Sequence, residues 1–309
     1  MIQSLAAELH RMWSRRLLKV LGALVMVAMV VGAAITFVQS NRDIGALRRQ
    51  AEVERQAEVE RRRTIRSCVS GEFDPPGQNP NGANRQRRCE RIIGEYEVPD
   101  PRFQYVDLQP ILLGASPLLA ILCLLLGASF VGAEWQKGTI TTALTWEPRR
   151  VRLLATKFAA IALVGVAFVV LMHLFLAAVM GVVAVLAGGT EGVNGTWARE
   201  TAGFSVRVAA VGGLTAVVGC AIATVGRNTT AALGVAFVYF GVLEGLIRGF
   251  RPKWQPWLLG DNATQFISGQ PGGGPIADKT TTAVALTLLL YAAVFITVAA
   301  VFFNRRDVT

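Results

Sequence analysis

Few residues of this chain have the types and spacing that catalysis or metal binding requires. The stretch from Gly132 to Gly138 continues into Thr139 without the lysine of a G-x-x-x-x-G-K-[ST] phosphate loop. Imidazole comes only from His10 and His173, and neither lies in an H-E-x-x-H motif or a Cys/His cluster. The sequence therefore predicts a chain without catalytic residues and without a metal or cofactor of its own.

The four cysteines form two pairs of different character. Cys68 and Cys89 flank a stretch rich in Pro, Gly and Asn, which is typical of a loop. We predict that a disulfide joins them outside the cytoplasm, where it would stabilise the segment by roughly 3 kcal/mol. Cys123 and Cys220 lie within apolar runs, and we interpret them as small apolar residues.

Ionisable residues within apolar runs are the remaining candidates for chemistry. Glu244 and Arg248 are one helical turn apart near the end of such a run, so they can pair and soften the cost of burial. Two interpretations stay open, a structural ion pair and a contribution to a substrate path. His173 fits either a hydrogen bond between packed helices or a relay.

Long apolar helices must position these residues. Hydrophobic residues make up 52% of the 309 residues and charged residues only 17%, which lies outside what a soluble domain of this size needs. A helix crosses the bilayer with about 20 apolar residues. The predicted fold is an all-α integral membrane protein with six transmembrane helices, at residues 17–38, 108–133, 153–187, 204–225, 231–247 and 281–303.

Residues 1–16 precede the first span and have an amphipathic pattern. Apolar residues recur there at helical spacing, with polar residues between them. They are Ile2, Leu5, Leu9, Met12 and Trp13. The pattern predicts an interfacial helix, with a disordered leader as the alternative. A cleaved signal peptide is rejected because the apolar run that follows is too long.

Positive charge near the ends of the spans predicts the orientation. The basic residues are Arg11, Arg15, Arg16, Lys19, Lys137, Arg149, Arg150, Arg152, Lys157, Arg227, Arg305 and Arg306. They assign both termini, the loop after the second span and the turn after the fourth span to the cytoplasm. The net charge of +10 is therefore mainly a topology signal, and nucleic acid is not a predicted partner.

Residues 39–107 are thereby placed outside the cytoplasm. Their first part, residues 42–66, is helix-forming and densely charged, with pairs such as Glu58 and Arg62 one turn apart. We interpret this part as a solvated helix that rises from the first span. Binding of a partner is the alternative.

The loop between the second and third spans, residues 134–152, carries the most informative motif. An acidic residue, a Gly-Thr pair, an apolar turn, a proline with basic residues and a lysine that opens the next span follow in order. This order resembles the signature of type-2 ATP-binding-cassette (ABC) exporter permeases. The matching residues are Glu134, Gly138, Thr139, Pro148, Arg149 and Lys157.

The resemblance implies a permease subunit that moves an amphipathic or hydrophobic substrate out of the cytoplasm. A separate ATPase subunit would bind ATP and Mg²⁺, and the permease would form a homodimer, or a dimer with a similar permease, in a bacterial cell membrane. The resemblance also implies that residues 248–280 are extracytoplasmic and partly re-entrant, with embedded segments within residues 254–267.

The physical properties of the loop independently favour a coupling role. Residues 139–144 can form a short helix, which Pro148 would end. Its apolar edge consists of Ile140, Ala143 and Leu144. Docked in a cleft of an ATPase, the helix would pass rigid-body motion into the second and third spans. Membrane anchoring by the basic residues is the alternative.

Two other classes of function stay open at this point. One is a channel or ion-coupled transporter that works without ATP, although ion coupling normally shows more buried acids than Glu244 alone. The other is a membrane anchor subunit that transports nothing.

Overall fold

The computed structural model describes residues 2–42, 44–70, 89, 100, 102–146, 149–269 and 279–305. Pro148 and the loop predicted between residues 71 and 82 lie outside the described residues. The chain forms two compact units. The first consists of Met1–Val31, Val106–Met180 and Gly192–Thr309, and the second of Gly32–Tyr105 and Gly181–Glu191.

Helices make up almost all of the described residues, which contain no strand. The α-helices are α1 (Ile2–Trp13), α2 (Arg16–Arg42), α3 (Ile44–Ser70), α4 (Leu108–Gln136), α5 (Thr139–Trp146), α6 (Arg150–Ala187), α7 (Gly195–Gly226), α8 (Thr229–Ala236), α9 (Glu244–Phe250), α10 (Leu259–Ser268) and α11 (Thr281–Arg305).

Six helical stretches within the described residues are long and apolar enough to cross a membrane, which confirms the predicted all-α fold with six spans. They are Arg16–Asn41, Tyr105–Gln136, Arg150–Ala187, Gly195–Gly226, Thr229–Phe250 and Thr281–Arg305. Several helices extend beyond the apolar runs, because hydropathy marks only the part of a helix that matches the hydrocarbon core.

The fourth span begins at Gly195, well before the apolar run predicted from residue 204. Asn194 caps this helix, because its side-chain oxygen accepts a hydrogen bond from the Trp197 backbone N–H at 2.9 Å. The Trp197 indole N–H donates to the Val106 carbonyl at 3.0 Å. These two bonds hold the polar first turn of α7.

Small residues bring α4, α6 and α7 together at the centre of the first unit. A Cβ added at Gly212 of α7 would lie 2.5 Å from Val169 Cγ2 and 3.3 Å from Cys123 Sγ. A Cβ added at Gly165 of α6 would lie 3.0 Å from the Ala216 side chain. Glycine at these positions therefore permits the close approach of the three helices.

The helices α4 and α7 also meet backbone to backbone, along what we call the α4–α7 seam. A Cβ at Gly127 would collide with the Ala216 carbonyl oxygen, and a Cβ at Gly219 would collide with the Leu124 carbonyl oxygen. The most apolar window of α7 is 67% buried, against 11% for the Thr229–Phe250 span. The seam thus forms the best covered part of the first unit.

The fifth span is not a uniform α-helix. A π-helix over Phe237–Leu243 joins α8 to α9, and such turns depend on local packing that hydropathy does not report. After the span, a 3₁₀ helix (Pro252–Trp257) and α10 occupy the region predicted to be partly re-entrant. Its insertion into the membrane stays a prediction.

The second unit contains α3 and a disulfide between Cys68 and Cys89. The predicted Glu58–Arg62 pair is present on α3 at 2.6 Å. A parallel bridge joins Gln104 to Gly189. The other two cysteines, Cys123 and Cys220, are free and buried in α4 and α7 of the first unit.

Candidate functional site

The predicted short helix after the second span is present as α5, and Gly138 sets its direction. Gly138 has a φ of 67°, a left-handed conformation that glycine adopts without the strain of a Cβ. The next residue, Thr139, opens α5, and its hydroxyl donates to the Glu134 carbonyl at 3.4 Å. The Gly-Thr pair therefore forms the corner between α4 and α5.

The apolar edge of α5 packs within this chain. Ile140 is only 2% exposed, and Ala143 and Leu144 are half-buried. A helix of 8 residues is not stable by itself, so it must bury this edge to keep its position. Exposed threonines form its outer face, namely Thr139, Thr141, Thr142 and Thr145. The threonines thus form the accessible face of α5, and Ile140 holds the helix in place.

Four charged side chains meet in a buried group, here named the Lys157 cluster: Glu8, Arg15, Glu134 and Lys157. The Lys157 Nζ lies 2.7 Å from Glu134 Oε2 and 3.0 Å from Glu8 Oε1. An Arg15 guanidinium nitrogen lies 3.7 Å from Glu134 Oε1. Lys157 is only 1% exposed. Two cations face two carboxylates, which is the arrangement that makes burial of such charges tolerable.

The ring of Phe130 forms the floor of the Lys157 cluster. The Arg15 guanidinium carbon lies 4.7 Å and the Lys157 Nζ 5.0 Å from the ring centroid, within cation–π range. Arg15 also donates to the Ser129 carbonyl at 3.2 Å. Burial lowers the pKa of Arg15, and the carboxylates of Glu134 and Glu8 oppose that change.

The Lys157 cluster joins both ends of the loop to the N-terminal helix. Glu134 lies in the last turns of α4, Lys157 in the first turns of α6, and Glu8 on α1. The cluster therefore fastens the end of α4, the start of α6 and α1 to one another.

Sequence reasoning identified Glu134 and Lys157 but missed Glu8 and Arg15 as their partners. Glu8 lies among the polar residues of the amphipathic pattern, which predicts an exposed side chain, yet it is only 5% exposed. The available signal was its spacing, because Glu8 is one turn before Met12, which is 4% exposed, and shares its face of α1.

The remaining predicted residues of the loop lie apart from the Lys157 cluster. Gly138, Thr139 and Ile140 form and hold the corner that begins α5. Arg149 is exposed, and its carbonyl accepts from the Leu153 backbone N–H at 3.1 Å. Pro148 lies outside the described residues.

A second charged group, here named the Glu244 cluster, consists of Glu244, Arg248 and Asp261. Arg248 Nη2 lies 2.9 Å from Glu244 Oε2 and 2.8 Å from Asp261 Oδ1. The Gly260 backbone N–H donates to Glu244 Oε1 at 2.7 Å. Both oxygens of the Glu244 carboxylate thus have donors, and the contacts favour the structural interpretation over a substrate path. Asp261 is the partner that sequence reasoning missed.

His173 is buried in α6 without the expected interhelical hydrogen bond. Its imidazole stacks on Phe204 of α7 with 6.3 Å between ring centroids, and neither ring nitrogen has a hydrogen-bond partner among the described residues. Over the same residues, no group of three or more His, Cys, Asp or Glu side chains lies close enough together to hold a metal ion.

Comparison with known families identifies one match for nearly the whole chain. Residues 10–308 match the model described as ABC-2 family transporter protein. The matched range includes the loop between the second and third spans and all six candidate spans. The comparison with curated proteins finds no match.

Proposed function

Because the chain belongs to the ABC-2 family of transporter proteins, we propose that it is the transmembrane permease subunit of an ABC exporter that a separate ATPase drives. The ATPase would bind ATP and Mg²⁺ and hydrolyse the nucleotide. The permease would contribute the spans and the surface on which the ATPase docks.

The Lys157 cluster is the observation that carries this proposal. A docking element transmits force only if it is rigidly attached to the parts that it moves. Glu134 and Lys157 attach both ends of the loop to each other by a buried pair at 2.7 Å. Plain membrane anchoring would need basic side chains at the surface, and it would not need a buried lysine.

The substrate class and the assembly follow as parts of the same proposal. Apolar side chains cover the exposed faces of the Thr229–Phe250 and Thr281–Arg305 spans, including Phe237, Leu246 and Leu290. A substrate that is amphipathic or hydrophobic suits such faces. One six-span subunit encloses little surface, so we propose a homodimer or a dimer with a similar permease. Basic residues support a bacterial inner-membrane orientation with both termini in the cytoplasm.

The decisive experiment changes the threonine face of α5 in the complete permease. Thr139→Arg and Thr142→Arg add bulk and charge without touching the buried Ile140, and Thr142→Arg decides the question, because Thr139→Arg also removes the hydroxyl that donates to the Glu134 carbonyl. Such a change at the centre of an interface costs about 2 kcal/mol or more, or roughly a 30-fold loss of affinity. We expect the variants to insert normally but to lose co-purification of the ATPase or substrate-stimulated ATP hydrolysis.

Thr196→Arg is the matched control, because it makes the same substitution at an exposed position at the start of α7. This variant should keep both association and stimulated hydrolysis. If the α5 variants behave like Thr196→Arg, α5 is not the docking element. If the unmodified permease neither binds an ATPase nor transports, the proposed function itself is wrong.

A further inference from the structure

Three separate elements of the first unit meet at Trp135, near the corner that begins α5. The Arg227 guanidinium lies 4.7 Å above the indole ring. The Phe303 ring meets the indole edge to face, with 6.1 Å between centroids and 81° between planes. Trp135, Arg227 and Phe303, here named the Trp135 clamp, belong respectively to the end of α4, the turn between α7 and α8, and the end of α11.

The turn between α7 and α8 is pressed against α4 at this point. A Cβ added at Gly132 would collide with Thr229, the first residue of α8. Gln136 donates from its side-chain amide to the Asn228 side-chain oxygen at 3.0 Å. The same oxygen accepts from the Thr230 backbone N–H at 2.9 Å and caps α8. The start of α8 is therefore held by the last turn of α4.

Arg227 has a backbone conformation that favours glycine. Its φ of 52° is the one positive value for a non-glycine residue within the described residues. The left-handed region costs about 1 kcal/mol for a residue with a Cβ. Helix α7 ends at Arg227 in this conformation, a common way for helices to end, and the turn places the side chain over Trp135.

The last span is tied to the loop from a second direction. Arg150, the first residue of α6, donates to the carbonyls of Phe303 at 3.3 Å and Asn304 at 3.4 Å. Both ends of the loop thus contact the end of α11. The Lys157 cluster, by contrast, connects only α1, α4 and α6.

We propose that the Trp135 clamp is a second transmission route, which makes the α7–α8 turn and the end of α11 follow the movement of α5. The proposal rests on the proposed function of the chain as a permease that an ATPase drives. It assigns a positioning role to Trp135 and Arg227. This route reaches the spans Thr229–Phe250 and Thr281–Arg305. Their apolar windows are 11% and 22% buried, and among the other candidate spans only the first, at 17%, is covered as little.

The first experiment weakens the clamp and leaves the docking face unchanged. Trp135→Leu removes the ring that attracts the guanidinium, and Arg227→Gln removes the cation. We expect ATPase association and basal hydrolysis to stay unchanged, whereas substrate transported per ATP should fall by about threefold to tenfold. Arg227→Gln changes an exposed residue, so it decides the question if Trp135→Leu folds poorly.

Conservative variants separate this role from a general packing role. Trp135→Phe keeps a ring, and it loses no hydrogen bond within the described residues, because the buried indole N–H has no acceptor there. Trp135→Phe and Arg227→Lys should therefore restore most of the transport per ATP. Equal losses in the conservative and disruptive variants would overturn the proposal.

A cross-link tests whether the joined elements move as one body. Gln136→Cys and Asn228→Cys place thiols at two side chains that now share a hydrogen bond. Joining them with a short thiol cross-linker should leave transport at the level of the same variant before cross-linking. If the cross-link stops transport, the two elements separate during the cycle and the clamp is wrong.

The outcomes distinguish this inference from the proposed function. If Trp135→Leu and Arg227→Gln transport as much substrate per ATP as the wild-type complex, and the wild-type complex does transport, the clamp alone is refuted. Absence of an ATPase partner or of transport in the wild-type complex would refute the proposed function.

Discussion

The Lys157 cluster and the Glu244 cluster both join carboxylates to cations within the first unit, but in different surroundings. The Lys157 side chain is 1% exposed, whereas the Arg248 side chain is 43% exposed. A buried ion is destabilising once its partner is removed, while an exposed pair contributes little. The comparison indicates that the Lys157 cluster depends on complete charge pairing. In the Glu244 cluster, the bond from Gly260 to the buried carboxylate matters more than the ion pair.

The largest expected effect comes from Lys157→Met. This change leaves the carboxylates of Glu8 and Glu134 buried, with Arg11 near Glu8 and Arg15 near Glu134, each at 3.7 Å. Breaking a buried pair in this way costs about 3 to 5 kcal/mol. We expect a clear fall in the thermal midpoint of the purified protein in detergent, measured by intrinsic fluorescence.

Two further variants sharpen this result. Arg149→Met removes an exposed cation from the same loop and should change stability by less than about 0.5 kcal/mol. Adding Glu8→Gln to Lys157→Met removes one buried negative charge, leaves Glu134 paired with Arg15, and should recover part of the lost stability. A midpoint for Lys157→Met equal to that of Arg149→Met would show that the cluster is not the buried network described above.

A covalent bond is expected to stabilise the second unit. Mass spectrometry of unreduced protein should find Cys68 and Cys89 joined, and reduction should destabilise the unit by roughly 3 kcal/mol. Hydrogen exchange in α3 should accelerate after reduction, while exchange near Lys157 and Glu244 stays unchanged. Free thiols at both cysteines of the unreduced protein would contradict the pairing.

A smaller effect is expected at the Glu244 cluster. Glu244→Ala deprives the Gly260 backbone N–H of its acceptor, which costs about 1 to 3 kcal/mol. Arg248→Ala should cost only about 0 to 1 kcal/mol, because the side chain is substantially exposed. Hydrogen exchange at the start of α10 measures both. Glu244→Gln is the control, because its amide oxygen still accepts the bond from Gly260. A larger loss of stability in Arg248→Ala than in Glu244→Ala would contradict the greater importance given to the bond from Gly260.

Hydropathy predicted the six spans because a lipid-exposed backbone must satisfy its hydrogen bonds within a helix. It did not predict where α7 begins, since the Asn194 cap and the polar first turn lie outside the apolar run. The π-helix Phe237–Leu243 was also beyond prediction, because it depends on contacts between elements and not on composition.

In the candidate site, too, the sequence predicted residues that are close together in the chain but not a contact between residues far apart in it. The motif identified Glu134 and Lys157, and the residue pattern predicted the short helix that follows Gly138. Glu8 lies far from both in the sequence, and a charge on an amphipathic helix is normally assigned to its solvent face. Only the packing of α1 against α4 and α6 reveals that this carboxylate completes the pairing.

The α4–α7 seam leaves no room for a molecule to pass between its two helices. Gly127 and Gly219 bring the two backbones into contact, so the seam has no space for water or for a solute even one methyl group wide. A crossing molecule that parted these helices would have to break the best packed contact of the unit. Under the proposed function, a route for solutes would instead lie along less covered faces, such as those of Thr229–Phe250 and Thr281–Arg305, and a second subunit would supply its opposite wall.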